Sequence, residues 1–327
     1  MRGRITWVVA AAVVAIGAAA AVDAVRGDPE ARPAAPAAST TKSVAAGLRG
    51  VLYYTDENCE LRALRFPSLE PTAAPAWDEC SLGDAVSDPR WQEAASETEG
   101  SLDVSVDGRN AGFRGSAPAF RNDGTLTFVR DGALRVLRLD PECLRLDEPV
   151  QFVEDEVIDR CSRVLLRAEH LRRLAILHPN VPTDLSELRS TTVKEHAWLD
   201  DERLVLLLAF DVRRVGPFEL VAVLEGTQVI DWVPVFNGLL SDLRVSPRGR
   251  YFAVITEDPE EVRLFDRDGK VLPIPPLTGA HAVAWSPSSR WTAVATRADV
   301  YVFRTGASNT RVRRLGIRAG DIAWRAS

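Results

Sequence analysis

Between residues 281 and 303 the chain reads HAVAWSPSSRWTAVATRADVYVF: small and apolar residues alternate with others, break at a Ser-Pro-Ser-Ser-Arg corner, and alternate again. A period of two marks a strand, and the corner marks the turn that folds one strand back on the next. The pattern recurs. SDLRVSPRGRYFAVI spans 241–255 and HAVAWSPSSRWTAVA spans 281–295, so Val245 and Trp285 stand 40 residues apart. Looser copies are APAFRNDGTLTFV at 117–129, EHAWLDDERLVLLL at 195–208 and LDVSVDGRNAGF at 102–113. The sequence ends on GDIAWRAS, a first strand without a second, with Trp324 placed 39 residues after Trp285.

A third strand follows each two-strand unit, and acidic-Gly turns punctuate the region: LRVLRL comes after VRDG, ELVAVLEG ends at Gly226, and EVRLFDRDG ends at Gly269. Glycine accepts the positive φ that tight hairpins need. KVLPI and TQVIDWV supply fourth strands. Four antiparallel strands in about 40 residues is the period of a propeller blade. The expectation is an all-β fold, a β-propeller of five or six four-stranded blades with six preferred. DIAW would be the inner strand of a ring-closing blade whose other strands come from residues 50–66.

GAHAVAWSPSSRWTAVATRADVYVFRTG and LRVSPRGRYFAVITEDPEEVRLFDRDGK resemble WD40-like and TolB-like propeller repeats, in which a Ser-Pro-Asp-Gly-Arg-type corner joins the first two strands. The likeness covers residues 50–327 and is clearest in the last 90. It implies a bacterial, membrane-anchored propeller that docks partners on its broad faces. No Trp-Asp dipeptide closes a third strand, although Phe265-Asp266 stands in a similar place. One corner is missing between Phe120 and Trp198; there CSRVLLRAEHLRRLAILHP reads as a helix, with Leu165, Leu166, His170, Leu174 and Leu177 at helical spacing and Pro179 as its stop. That segment is either a degenerate blade or a helical decoration.

The amino terminus adds an address. Two arginines precede the uncharged run ITWVVAAAVVAIGAAAAV at 5–22, about 27 Å as a helix and enough for a thin hydrocarbon core. Residues 1–24 are read as a signal-anchor helix that sends the rest out of the cytoplasm; VDA at 22–24 leaves cleavage, and hence secretion, open. Residues 25–47, rich in Ala, Pro, Ser and Thr, read as a flexible linker, and 48–327 as the propeller. No Cys precedes Cys59, so a lipoprotein-type attachment is excluded.

Four cysteines fit an oxidising compartment. Of three possible pairings the two local ones, Cys59 with Cys80 and Cys143 with Cys161, are preferred; each closes a loop of about 20 residues, worth about 3 kcal/mol in the chain-entropy model. A four-thiolate zinc site would show paired C-x-x-C knuckles, which are absent.

The net charge of −6 argues against nucleic acid, which needs a basic stripe. No His-Glu-x-x-His, G-x-S-x-G elbow or phosphate-binding glycine loop occurs. His196 and His281 precede strand-ending tryptophans and read as hydrogen-bonded blade positions. The acidic clusters at 154–159 and 257–261 lack the spacing of a calcium loop. No metal, cofactor or catalytic residue is expected. Phe120, Trp198, Trp285 and Trp324 recur at one position and read as inter-blade packing. Trp77 and Trp91, on a polar loop around Cys80, are candidate partner anchors. The function expected is a non-enzymatic binding or sensory propeller on a membrane tether, serving a protein, peptide or envelope polymer. The alternative is a propeller hydrolase or lyase whose polar groups converge from different blades in the central channel.

Overall fold

Alternating stretches become hairpins, and the hairpins become six sheets in the computed structural model. The structure describes residues 47–74, 85–87, 93–98, 101–106, 109–121, 123–139, 144, 151–176, 188–213, 216–233, 240–257, 259–307 and 311–326. The expected anchor at 1–24 and nearly all of the linker lie outside these residues. Among the described residues no helix is long and apolar enough to cross a membrane.

Sheet 6 is the simplest. Ala280–Trp285, Trp291–Thr296, Val300–Arg304 and Arg313–Arg314 pair antiparallel in chain order. Sheet 5 repeats this with Leu240–Val245, Tyr251–Glu257, Glu260–Asp266 and Val271–Leu272. Sheet 4 does so with Leu188–Trp198, Arg203–Val212, Gly216–Glu225 and Gln228–Val233. Sheet 1 joins the chain ends: Ile322–Arg325 pairs with Gly50–Thr55, followed by Leu61–Phe66 and Glu70–Pro71. The Trp324 ring stacks on Phe66 at 4.5 Å, and its Nε1 donates to the Arg49 carbonyl at 3.0 Å. The terminal strand therefore sits where its truncated repeat placed it.

The corners explain the recurring Ser-Pro. Ser246 donates its N–H to the Tyr251 carbonyl at 2.9 Å, while its Oγ accepts the Tyr251 N–H at 3.1 Å. Ser286 makes the same pair of bonds with Trp291, at 2.9 and 3.1 Å. Gly249 and Ser289 then take the left-handed conformation at φ +58°. Neighbouring corners also touch: the Arg248 N–H donates to Ser289 Oγ at 3.2 Å, and a Cβ on Gly249 would stand 1.4 Å from the Leu199 carbonyl oxygen.

Strands as apolar as RLVLLLAF have two buried faces. Leu204, Leu206 and Leu208 pack toward sheet 3, whereas Val205 and Leu207 pack toward sheet 5. Five such apolar seams are described, joining sheets 2–3, 3–4, 4–5, 5–6 and 6–1.

Sheets 2 and 3 depart from the sequence reading. LDVSVDGRNAGF is not a corner of its own: it forms Ser101–Val106 and Arg109–Arg114, which extend Ala85–Ser87 and Glu93–Thr98 in sheet 2. The edge of that sheet is completed by Gln151–Phe152, parallel to Arg109–Arg114 and supplied by chain from beyond the third strand of sheet 3. Sheet 3 itself runs Ser116–Phe120, Leu126–Arg130, Ala133–Leu137 and then Ser162–Leu166. The expected continuous helix from Cys161 onward is thus corrected. SRVLL is a strand, and helices occupy Asp155–Cys161 before it and Ala168–Ile176 after it. Five residues are too few for periodicity to decide, and the unpaired edge of Ala133–Leu137 captured them.

Candidate functional site

Count back from the corner residue that ends each inner strand. Four positions before Leu199 stands Glu195; four before Ser246 stands Asp242; four before Ser286 stands Ala282; four before Arg325 stands Asp321. Two positions before the corners stand Ala197, Arg244, Ala284 and Ala323. A period of two puts these positions on one face of each strand. In sheets 4, 5 and 6 a bulge falls just ahead, inserting Lys194, Ser241 and His281 as extra residues. Such bulges re-aim the side chains that follow.

The acids of three sheets meet around one arginine. Glu195 Oε2 accepts the Leu243 N–H of sheet 5 at 2.6 Å. Arg244 Nε donates to Asp242 Oδ2 at 2.5 Å, and its Nη2 lies 3.6 Å from Asp321 Oδ2. Sheet 5 thus reaches sheet 1 past sheet 6, which carries only Ala282 and Ala284 at these positions. Asp321 is itself pinned: its Oδ1 accepts the Ile322 N–H at 2.7 Å, and its N–H donates to Thr55 Oγ1 at 2.9 Å. A second clamp holds the seam between sheets 4 and 5. Lys194 Nζ donates to Glu219 Oε1 and to the Leu240 carbonyl, both at 2.8 Å, while Glu219 Oε2 accepts the Leu240 N–H at 2.6 Å.

Charge balance in this cluster is shifted from its ordinary state. Burial, reinforced by the charge of Asp242, pushes Glu195 up to about 8, so its carboxyl keeps its proton at neutral pH. Burial also raises Asp242, against the pull of Arg244. Burial works against the Arg244 cation, but Asp242 and Asp321 outweigh it and hold the guanidinium protonated. Asp242 and Arg244 nevertheless keep 27% and 25% of their side-chain surface exposed, the mark of groups lining a space that solvent reaches. The cluster suits a ligand that brings hydrogen-bond donors or positive charge. Among the described residues no grouping of His, Cys, Asp and Glu could hold a metal ion.

The three described histidines have structural roles. His196 is buried, with Nε2 2.7 Å from Thr127 Oγ1; the same hydroxyl donates to the Ala119 carbonyl at 2.8 Å and accepts from Trp198 Nε1 at 2.9 Å. Burial drives its pKa down to about 3 and keeps the ring neutral. His281 places Nδ1 3.2 Å from the Gly279 carbonyl oxygen and Nε2 3.0 Å from that of Ala319, and so sets sheet 6 against the closing strand's approach. His170 bonds the Thr227 carbonyl at 2.9 Å. Trp198, Trp285 and Trp324 pack between sheets, as their common position implied.

Cys59 occupies a left-handed turn residue after Gly50–Thr55, and Cys161 ends the helix Asp155–Cys161. Neither is a free thiol: both are disulfide-bonded. Cys80 and Cys143 lie outside the described residues, as do Trp77 and Trp91 and the anchor role proposed for those tryptophans. The interior acids were missed by sequence reasoning although EHAWLDD, SDLRV and GDIAW had been recognised as repeats. The signal was the acid four positions before the corner in each of them; only the aromatic beside the corner had been compared.

No family model matches the sequence, and no curated protein matches it. Among solved structures, TolB from Acinetobacter baumannii matches at 15% identity over 85% of this chain and 67% of its own, with a TM-score of 0.44. The propeller reading stands on the six sheets and their seams.

Proposed function

We propose that the chain is a non-enzymatic binding propeller of six blades, closed into a ring, that docks a cationic segment of a protein, peptide or envelope polymer at the interior cluster of Glu195, Asp242, Arg244 and Asp321. The observation that carries this reading is the Arg244–Asp321 approach across sheet 6. It shows acids at one repeat position converging from three sheets, with the cluster's carboxylates already engaged by backbone N–H groups or by Arg244. Groups held in this way recognise a partner better than they transfer protons. The N-terminal helix is proposed to tether the propeller to the membrane outside the cytoplasm, with the cysteines paired locally.

The docking test uses the full-length protein and two octapeptides matched except for three lysines in one and three glutamates in the other, read by fluorescence anisotropy. The lysine peptide should bind, and Asp242→Asn with Asp321→Asn should weaken it at least about tenfold, the scale of lost charged hydrogen bonds. Equal binding of both peptides, or binding indifferent to the two substitutions, would sink the docking site. Tethering is read separately. Protease added to cells with a permeable outer layer should degrade the propeller, and full protection reverses the topology.

A second reading, a channel enzyme, is favoured by the proton retained on Glu195 beside ionisable Asp242, the pairing of a general acid with a second carboxylate. Hydrolysis of a glycoside or ester panel that disappears in Glu195→Gln, while Asp242→Asn still binds peptide, would establish it.

A further inference from the structure

Three arginines meet at a pocket whose described lining holds no carboxylate. Where the corners of sheets 5 and 6 approach the seam of sheet 1, a cavity of about 540 Å3 is lined by Arg49, Arg248 and Arg290, with Gly47 and Ser288 in its wall. Two of these arginines belong to the Ser-Pro corners themselves, and the third leads into Gly50–Thr55.

Their backbones are fastened. The Arg248 N–H donates to Ser289 Oγ at 3.2 Å, the Arg290 carbonyl accepts the Thr305 N–H at 3.0 Å, and the Arg49 carbonyl accepts Trp324 Nε1 at 3.0 Å. Their side chains are exposed, and none makes an ion pair or side-chain hydrogen bond with any described residue. Some arginines elsewhere are paired, although exposed Arg250 and Arg304 also make no such bond with a described residue. Arg203 faces Glu225 and Asp268, Arg267 faces Asp200, Arg297 faces Glu260, and Arg318 faces Glu57.

Three cations rooted on rigid turns repel one another across a shared concavity unless an anion joins them. The planar guanidinium fork matches the oxygens of a phosphate group two at a time. Three forks suit a group carrying at least two negative charges. We infer that this pocket is a binding site for a multiply charged oxyanion of the phosphate class. The source is either a free phosphate compound or a phospholipid headgroup. Gly47, where the linker ends, lines the same pocket, so the headgroup source rests on the proposed membrane tether. The free source does not.

The test titrates full-length protein in neutral detergent with inorganic pyrophosphate and, separately, with dihexanoylphosphatidic acid, whose phosphomonoester can carry two negative charges, below its micelle concentration, by calorimetry. Pyrophosphate should bind and weaken as salt is raised. Arg49→Gln, Arg248→Gln and Arg290→Gln together should abolish measurable binding, the matching lysine triple should retain part of it, and Arg318→Gln should bind as the wild type does. Arg290→Gln alone should lose about tenfold and serves if the triple glutamine variant does not fold. Binding of the lipid with the same arginine dependence assigns the headgroup source, and binding of pyrophosphate alone assigns the free one. Binding of neither probe, or binding that survives the triple glutamine substitution in a folded protein, overturns the site.

Discussion

Sheet 6 and sheet 3 have the same four-stranded order, yet one was written contiguously and the other was not. Sheet 6 occupies residues 280–314 with a Ser-Pro corner and short returns. In sheet 3 the chain leaves after Leu137, donates Gln151–Phe152 to sheet 2, forms the helix Asp155–Cys161, and only then returns as Ser162–Leu166. Buried Arg130 and partly buried Arg135 secure that detour, with Arg130 Nη2 3.1 Å from Asp155 Oδ1 and Arg135 Nη1 2.9 Å from Asp159 Oδ1. A repeat architecture therefore needs the edge to be filled, not filled by the next residues in sequence. Sheet 1 makes the same point on the largest scale, because its inner strand comes from the other chain end.

If borrowed strands hold the ring together, removing one should cost more than any side chain. Deleting residues 319–327 removes the partner of Gly50–Thr55 together with buried Ile322 and Trp324, worth several kcal/mol at about 25 cal/mol per Å2. The melting temperature of the whole domain should fall and aggregation should rise, while deletion of residues 25–45 leaves melting unchanged. A truncated chain that melts like the intact one would remove the distinction between borrowed and contiguous strands.

The interior cluster should show next, as a pH effect. Glu195 is raised to about 8 in the fold and returns to an ordinary carboxylate value when unfolded. Between these values the native state holds a proton that the unfolded state has released, so stability falls as pH rises from about 4.5 to about 8 and then levels off. The steepest slope is about 1.4 kcal/mol per pH unit. Glu195→Gln should flatten that part of the profile in urea melts taken from pH 5 to 9. An unchanged slope would show that Glu195 is ionised in the fold.

Two corners permit a sharper comparison. Gly249→Ala meets both a left-handed backbone and the Leu199 carbonyl, and should cost about 2 kcal/mol or more. In the detour of sheet 3, Arg130→Met should cost about 1–2 kcal/mol, because its acidic partners are half exposed. The loss should be local, seen as faster hydrogen exchange at residues 153–161 with little change in sheets 4 to 6. Uniform acceleration would mean that the detour is part of one cooperative ring. Smallest of all is Ser289→Gly, where relief of the left-handed serine offsets the hydrogen bond lost from Arg248; a change within about 0.5 kcal/mol is expected in denaturant melts.

The alternation of HAVAW with its neighbours, the acid-Gly hairpins and the Ser-Pro corners were legible because each depends on residues within one or two turns of chain. Period-two burial and positive-φ glycines are local physics, and the incomplete GDIAW repeat carried closure with it. Which edge SRVLL joins, the parallel pairing of Gln151–Phe152, and the meeting of Arg244 with Asp321, 77 residues away, were decided only in the tertiary structure. Packing sheet against sheet brings equal positions of different repeats to one place. A side chain acquires its partners there from sheets that no local pattern in its own segment can name.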